Sequence, residues 1–97
     1  MADRIDKMVR GAVAEILGDD PARIPDETVL TGFNAELKSR ELVVLMLEIE
    51  DRVVQEFGIE FDWNADSIAQ DTRIRMRTVG SLIKFVNERV KSAVKGT

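Results

Sequence analysis

Hydrophobic residues recur every three or four positions through the middle of the chain. Between residues 39 and 57 this spacing places one set on a single face of a helix. We expect Val43, Leu47 and Val54 to widen that buried face beyond a narrow stripe. The core of the face comprises Leu42, Leu45, Met46, Ile49, Val53 and Phe57. The opposite, water-facing side comprises Glu41, Glu48, Asp51, Arg52 and Gln55.

The same spacing predicts two further helices. The first covers residues 3–17 and ends at Gly18, and Gly11 within it marks either the close approach of another helix or an exposed position. Thr78 is a favourable N-cap for the last helix, whose tail over residues 91–97 we expect to fray. The first apolar face comprises Ile5, Met8, Val9, Ala12, Val13, Ile16 and Leu17. The last comprises Val79, Leu82, Ile83, Val86 and Val90.

The connections between the helices mix apolar residues with turn formers. Residues 19–38 show no period, and a structureless loop of this length is unusual in a compact domain, so we expect its apolar residues to be pinned across the helix ends. They are Ile24, Val29, Leu30, Phe33 and Leu37. After Gly58 we expect an extended segment at 59–61, one short helical turn at 67–70 and a second extended segment at 73–77.

Three substantial helices and one minor turn indicate an all-α fold. We expect a small four-helix bundle with a long first loop and a short third helix. A chain of 97 residues can build one core without metal or disulfide support, so we interpret residues 1–97 as a single domain.

Composition excludes several classes of function. The chain has neither cysteine nor histidine, so thiolate nucleophiles, the commonest general base and the commonest transition-metal ligand are missing. We therefore expect neither enzymatic activity nor a metal site. No signal peptide and no apolar run of membrane-spanning length is visible, which predicts a soluble, cytoplasmic protein.

Charge favours a basic protein partner. The net charge of −4 argues against general affinity for nucleic acid. Residues 39–57 contain five acids and two arginines, whereas residues 72–78 contain three arginines and no acid. The acidic central helix is therefore expected to meet a partner with a basic surface.

Four segments, in this order, resemble the acyl carrier proteins and together span almost the whole chain. Residues 16–18 (ILG) resemble the end of that family's first helix, and residues 24–30 (IPDETVL) resemble its first loop. Residues 36–43 (ELKSRELV) resemble its serine motif, and residues 78–82 (TVGSL) the start of its last helix. The resemblance implies a four-helix bundle of acyl-carrier-protein type.

The resemblance also implies a covalent cofactor on Ser39. In that family a phosphopantetheinyl transferase uses coenzyme A to join 4′-phosphopantetheine to the motif serine, and the terminal thiol of the arm holds an acyl or aminoacyl group as a thioester. Ser39 matches this position. A phosphodiester at a helix N-terminus is favoured by free backbone N–H groups and by the helix dipole. The alternative is that Ser39 only caps the helix.

Two departures from the family pattern indicate a specialised carrier. The usual Asp-Ser-Leu is replaced by Lys38-Ser39-Arg40, which reverses the charge that modifying enzymes read. Either a divergent transferase attaches the arm, or the arm is never attached. The long helix is also one turn longer than usual, with four residues such as 52–55 inserted, and its buried face stays in register.

Two other segments resemble functional motifs and are rejected. Residues 65–68 (ADSI) resemble the serine motif, but too little chain follows Ser67 for two further helices. Residues 62–66 begin like a calcium-binding loop, yet Ser67 stands where glycine is required and Arg73 where the bidentate glutamate is required.

The sequence therefore predicts a non-catalytic, monomeric carrier in lipid or secondary-metabolite biosynthesis. Its partners would be a phosphopantetheinyl transferase and the enzymes that load and unload a short acyl chain sheltered between the helices. The alternative is a carrier-derived interaction module that never receives the arm. The predicted partner-binding residues are Lys38, Arg40, Glu41, Val44, Glu48 and Asp51.

Overall fold

The computed structural model describes residues 2–31, 35–59 and 77–95, and its regular elements there are helices. Helix α1 covers Ala2–Leu17, α2 covers Ser39–Phe57 and α3 covers Val79–Lys95, and a short 3-10 turn covers Pro21–Arg23. The all-α prediction is confirmed. The short helical turn expected at 67–70 and the extended residues expected at 60–61 and 73–76 lie outside the described residues, so the fourth helix stays a prediction.

Helix α1 packs against both α2 and α3. Ile5, Val9 and Val13 are fully buried at four-residue spacing, as its apolar face predicts. The helix ends where Gly18 takes a positive φ of 70°, a conformation that glycine adopts without steric cost. The N–H of Asp19 then donates to the carbonyl oxygen of Ala14 at 2.9 Å.

Helix α2 has the bounds that the sequence predicts. It starts at Ser39 and ends at Phe57, where Gly58 takes a φ of 66° and donates its N–H to the carbonyl oxygen of Val54 at 2.9 Å. Leu45, Ile49 and Val53 are fully buried, again at four-residue spacing.

The buried face of α2 is narrower than predicted. Val43 is 55% exposed, Leu47 59% and Val54 48%, so the expectation that these residues widen the buried face is wrong. Val43 and Leu47 each lie two residues from Leu45, or about 160° around the helix, so they lie on the side opposite this buried residue.

Helix α3 begins with a reciprocal cap. The N–H of Ser81 donates to Thr78 Oγ1 at 3.2 Å, and the N–H of Thr78 donates to Ser81 Oγ at 3.1 Å, which confirms Thr78 as the N-cap. The helix continues to Lys95, so the fraying expected from residue 91 is wrong up to that point. Val90 is fully buried, and good helix formers such as Lys91 and Ala93 extend the helix by a further turn.

The first loop is pinned to the helices, as predicted. Ile24, Leu30 and Leu37 are buried with exposures of 5%, 1% and 7%. Val29, which is half-buried, forms an isolated antiparallel bridge with Thr78. Phe33 lies outside the described residues.

Backbone hydrogen bonds tie this loop to the chain around the start of α3. The N–H of Leu30 donates to the carbonyl oxygen of Arg77 at 2.7 Å, and the N–H of Val79 to that of Thr28 at 3.0 Å. The N–H of Gly80 donates to the carbonyl oxygen of Asp26 at 3.0 Å. The N–H of Glu36 donates to the carbonyl oxygen of Val29 at 2.7 Å, which ties the chain just before α2 to the same part of the loop.

Arg10 of α1 clamps the same loop through its guanidinium. It donates to Asp6 Oδ1 at 2.6 Å, to the carbonyl oxygen of Ile24 at 2.5 Å and to Asp26. The hydrogen bonds to Asp6 and Asp26 raise the pKa of Arg10, so the guanidinium keeps its charge.

Candidate functional site at the start of helix α2

Ser39 is the first residue of α2. Lys38 precedes it as the N-cap with extended backbone angles (φ −79°, ψ 163°), and its carbonyl oxygen accepts the first helical hydrogen bond, from the N–H of Leu42, at 2.9 Å. The first turn of a helix presents backbone N–H groups with no intrahelical partner and carries the positive end of the dipole. The chain therefore provides an anion-favouring backbone at the predicted attachment position.

The two cations of the Lys-Ser-Arg motif are exposed. Neither Lys38 nor Arg40 forms an ion pair with another described residue. Each is a neighbour of Ser39 in sequence, so the motif carries two positive charges without an ion-pair partner among the described residues. A phosphodiester at this position would be stabilised by both charges.

The predicted acidic partner-binding residues have several roles. Glu41 is half-buried, and its Oε1 accepts the N–H of Lys38 at 2.9 Å, so it caps the helix. Glu48 lies 3.4 Å from Arg52 Nε, and the exposed Asp51 accepts Gln55 Nε2 at 3.0 Å. The capping role of Glu41 could have been noticed from its spacing of three residues from Lys38.

Val44 is 47% exposed, in agreement with its predicted water-facing position. It lies beside Val43 and Leu47, so the exposed surface of α2 is partly aliphatic. Contiguous exposed aliphatic surface is typical of interaction sites. The apolar part of this surface is larger than the sequence indicated.

The helical pattern predicts that Arg52 faces water, but the structure shows a more complex arrangement. Its side chain is 30% exposed and reaches across to α1, where Nη2 lies 2.5 Å from Glu15 Oε2. Its Nη1 lies 3.3 Å from the position that a Cβ on Gly11 would occupy. Gly11 is half-buried and is approached by this side chain alone, so it marks neither the close approach of another helix nor a fully exposed position.

A shallow groove of about 370 Å³ lies between the start of α1 and the end of α2. Residue 52, its nearest lining residue on α2, is thirteen residues from Ser39, or roughly 20 Å along the helix. The groove is therefore remote from the predicted attachment position. Its lining residues are Arg4, Lys7, Met8, Arg52, Gln55 and Glu56.

The alternative serine, Ser67, and the rejected calcium-loop segment at 62–73 lie outside the described residues. No helix within the described ranges is both long and apolar enough to cross a membrane. Comparison of the chain with models of protein families, with curated proteins and with solved structures gave no match.

Proposed function

We propose that this chain is a specialised, cytoplasmic acyl or aminoacyl carrier protein whose cargo is held as a thioester on 4′-phosphopantetheine attached to Ser39. The carrier is not itself an enzyme. A phosphopantetheinyl transferase attaches the arm, and separate enzymes load and unload the cargo in lipid or secondary-metabolite biosynthesis.

The observation that carries the proposal is the position of Ser39. It is the first residue of a nineteen-residue amphipathic helix, directly after a loop that is pinned to the other helices. A swinging arm needs a fixed anchor, and a phosphodiester benefits from a helix N-terminus. A chain without cysteine also requires an external thiol for thioester chemistry.

Lys38 and Arg40 define the charge of the proposed attachment site. Both are exposed, and neither is paired with another described residue, so they are available to the phosphodiester and to the transferase. A matching transferase would present acidic groups at this point. The proposed transferase is divergent because it would recognise positive charges on both sides of the serine.

The remainder of α2 would form the docking surface for the loading and transfer enzymes. Glu48 and Asp51 supply negative charge, and Val44 supplies an apolar contact between them and Arg40. Acidic groups around an aliphatic centre suit a partner with a basic rim. The interior between the helices is the proposed shelter for a short acyl chain.

The second candidate is an interaction module with the same fold that is never modified. The pair of cations around Ser39 favours it, because the usual aspartate of the carrier motif is absent. In that case Ser39 would serve only in the first turn of α2.

Modification in vitro separates the two candidates. The chain is incubated with coenzyme A and a broad-specificity transferase, then with a transferase from the source organism, and its intact mass is measured. A gain of one phosphopantetheine that is lost in Ser39→Ala and kept in Ser67→Ala supports the carrier. No gain with either transferase supports the unmodified module.

The double variant Lys38→Asp/Arg40→Leu is the matched control because it restores the usual family motif. If the broad-specificity transferase modifies this variant but not the parent chain, the charge reversal is what the transferase reads. The transferase from the source organism is then expected to prefer the parent chain.

A further inference from the structure

Five positions of α2 form a stripe with alternating spacings of three and four residues. The stripe comprises Arg40, Val43, Leu47, Glu50 and Val54. This spacing is the heptad pattern by which two helices pack side by side. The stripe is separate from the buried face, since Val43, Leu47 and Val54 are about half exposed or more.

The two charged members of the stripe have no partner among the described residues. Arg40 is exposed and Glu50 half-exposed, and neither takes part in an ion pair there. They are ten residues apart, or about 15 Å along the helix, with Val43 and Leu47 between them. The stripe thus has a positive end, an aliphatic centre and a negative end.

We propose that this stripe is the contact surface of a weak, symmetric homodimer in which two α2 helices pack antiparallel. When residues 43 and 47 of one copy face residues 47 and 43 of the other, the same register places residue 40 opposite residue 50 at both ends. Each Arg40 then meets Glu50 of the second copy. A two-fold contact requires such self-complementarity.

A parallel arrangement is disfavoured by the same charges. It would place Arg40 against Arg40 and Glu50 against Glu50, which repel. The aliphatic centre alone does not distinguish the two directions. The charges at the ends therefore specify the antiparallel one.

The expected dimer is weak. One helix packed on another buries less than the standard interface of roughly 1,200–2,000 Å², so a dissociation constant of about 10–500 µM is expected. The inference replaces the monomer expected from the sequence and does not rest on the modification of Ser39. Because Arg40 is also a proposed contact of the transferase, dimer formation and transferase docking would exclude each other.

Sedimentation equilibrium of the Ser39→Ala chain tests the inference, because that chain cannot carry an arm at Ser39. The average mass of the full chain is measured between about 10 µM and 1 mM, the range that brackets the expected constant. Three charge variants are compared: Arg40→Glu, Glu50→Arg and the double exchange. Lys84→Glu on α3 is the matched control, since Lys84 is exposed and its exchange makes the same change in net charge as Arg40→Glu.

The expected result is a mass that rises with concentration. Each single exchange creates two like-charge contacts and weakens the dimer by about tenfold or more, and the double exchange restores it to within about threefold. Lys84→Glu leaves it nearly unchanged. Three outcomes would overturn the inference: a monomer up to 1 mM, a double variant as weak as the single ones, or an equal loss in Lys84→Glu.

Because the chain has no cysteine, disulfide trapping provides an independent check. Val43→Cys and Leu47→Cys chains are mixed and oxidised. The antiparallel register predicts more mixed than self-paired disulfide, since positions 43 and 47 face each other. Predominant self-pairing at both positions would indicate parallel helices and contradict the proposal.

Discussion

The guanidinium of Arg52 on α2 lies against Gly11 on α1, with Nη1 3.3 Å from the place of an added Cβ. A small residue in α1 thus accommodates a long side chain from α2. The ion pair with Glu15 at 2.5 Å secures the same contact.

Gly11→Ala is expected to stabilise the protein by about 0.5 kcal/mol. Alanine favours the interior of a helix by roughly 1 kcal/mol over glycine, and part of this is lost as the half-exposed guanidinium shifts by a few tenths of an ångström. Urea unfolding followed by circular dichroism measures the change. In an Arg52→Ala background the stabilisation should be larger, and an unchanged value would show that the two residues are not in contact.

Gly80→Ala should have the opposite sign. A Cβ at Gly80, the second residue of α3, would lie 3.2 Å from Asp26 Cβ and 3.4 Å from its carbonyl oxygen. These atoms are held by the hydrogen bond from Gly80 N–H and by Arg10, so we expect a loss of about 1–2 kcal/mol in the free energy of unfolding. The same unfolding experiment measures it, and a gain like that of Gly11→Ala would mean that the loop moves freely.

Alanine substitutions of two leucines in α2 test how wide the buried face of this helix is. Leu45 is fully buried and Leu47 is 59% exposed. Leu45→Ala is expected to lower the free energy of unfolding by about 2–5 kcal/mol, and Leu47→Ala by less than about 1 kcal/mol. Equal losses, measured at low protein concentration where dimers are absent, would restore the wider buried face predicted from the sequence.

The sequence predicts the helices well because period and end signals agree. Helix α2 has its predicted bounds, because its periodic apolar residues continue to Phe57 and Gly58 follows as a stop signal. The buried width was mispredicted because periodicity identifies the centre of an apolar face, whereas its width depends on how many neighbouring elements cover it. The apolar residues of the first loop predict that it is pinned to the core, although the stretch has no helical period. They do not predict its hydrogen-bond partners near Thr78, because pairing between distant segments leaves no local signal in the sequence.

The start of α2 could likewise be predicted in part. The position of Ser39 at the helix start follows from the apolar period that begins at Leu42. The reach of Arg52 to α1 could not be predicted, since a helical wheel shows the direction of a side chain and not the charges on a neighbouring helix. The exposed stripe between Arg40 and Glu50 could not be predicted either, because the helical period places Val43 and Leu47 in the buried face.

Arg10 is expected to hold the first loop in place. Its removal in Arg10→Ala breaks contacts with Asp6, with Asp26 and with the carbonyl oxygen of Ile24, and we expect a loss of about 1–3 kcal/mol in the free energy of unfolding. Arg10→Lys should rescue little, because one ammonium cannot reproduce several directed donors. Amide hydrogen exchange of Leu30 and Gly80 should accelerate in both variants, and unchanged exchange would show that the backbone hydrogen bonds hold the loop alone.

The proposal that Ser39 carries a phosphopantetheine arm is tested by the intact mass and peptide map of the chain isolated from its own cells. We expect a gain of one phosphopantetheine, located on the peptide that contains Ser39. An unmodified chain from cells in which another carrier is fully modified would contradict it, as would an arm located on Ser67.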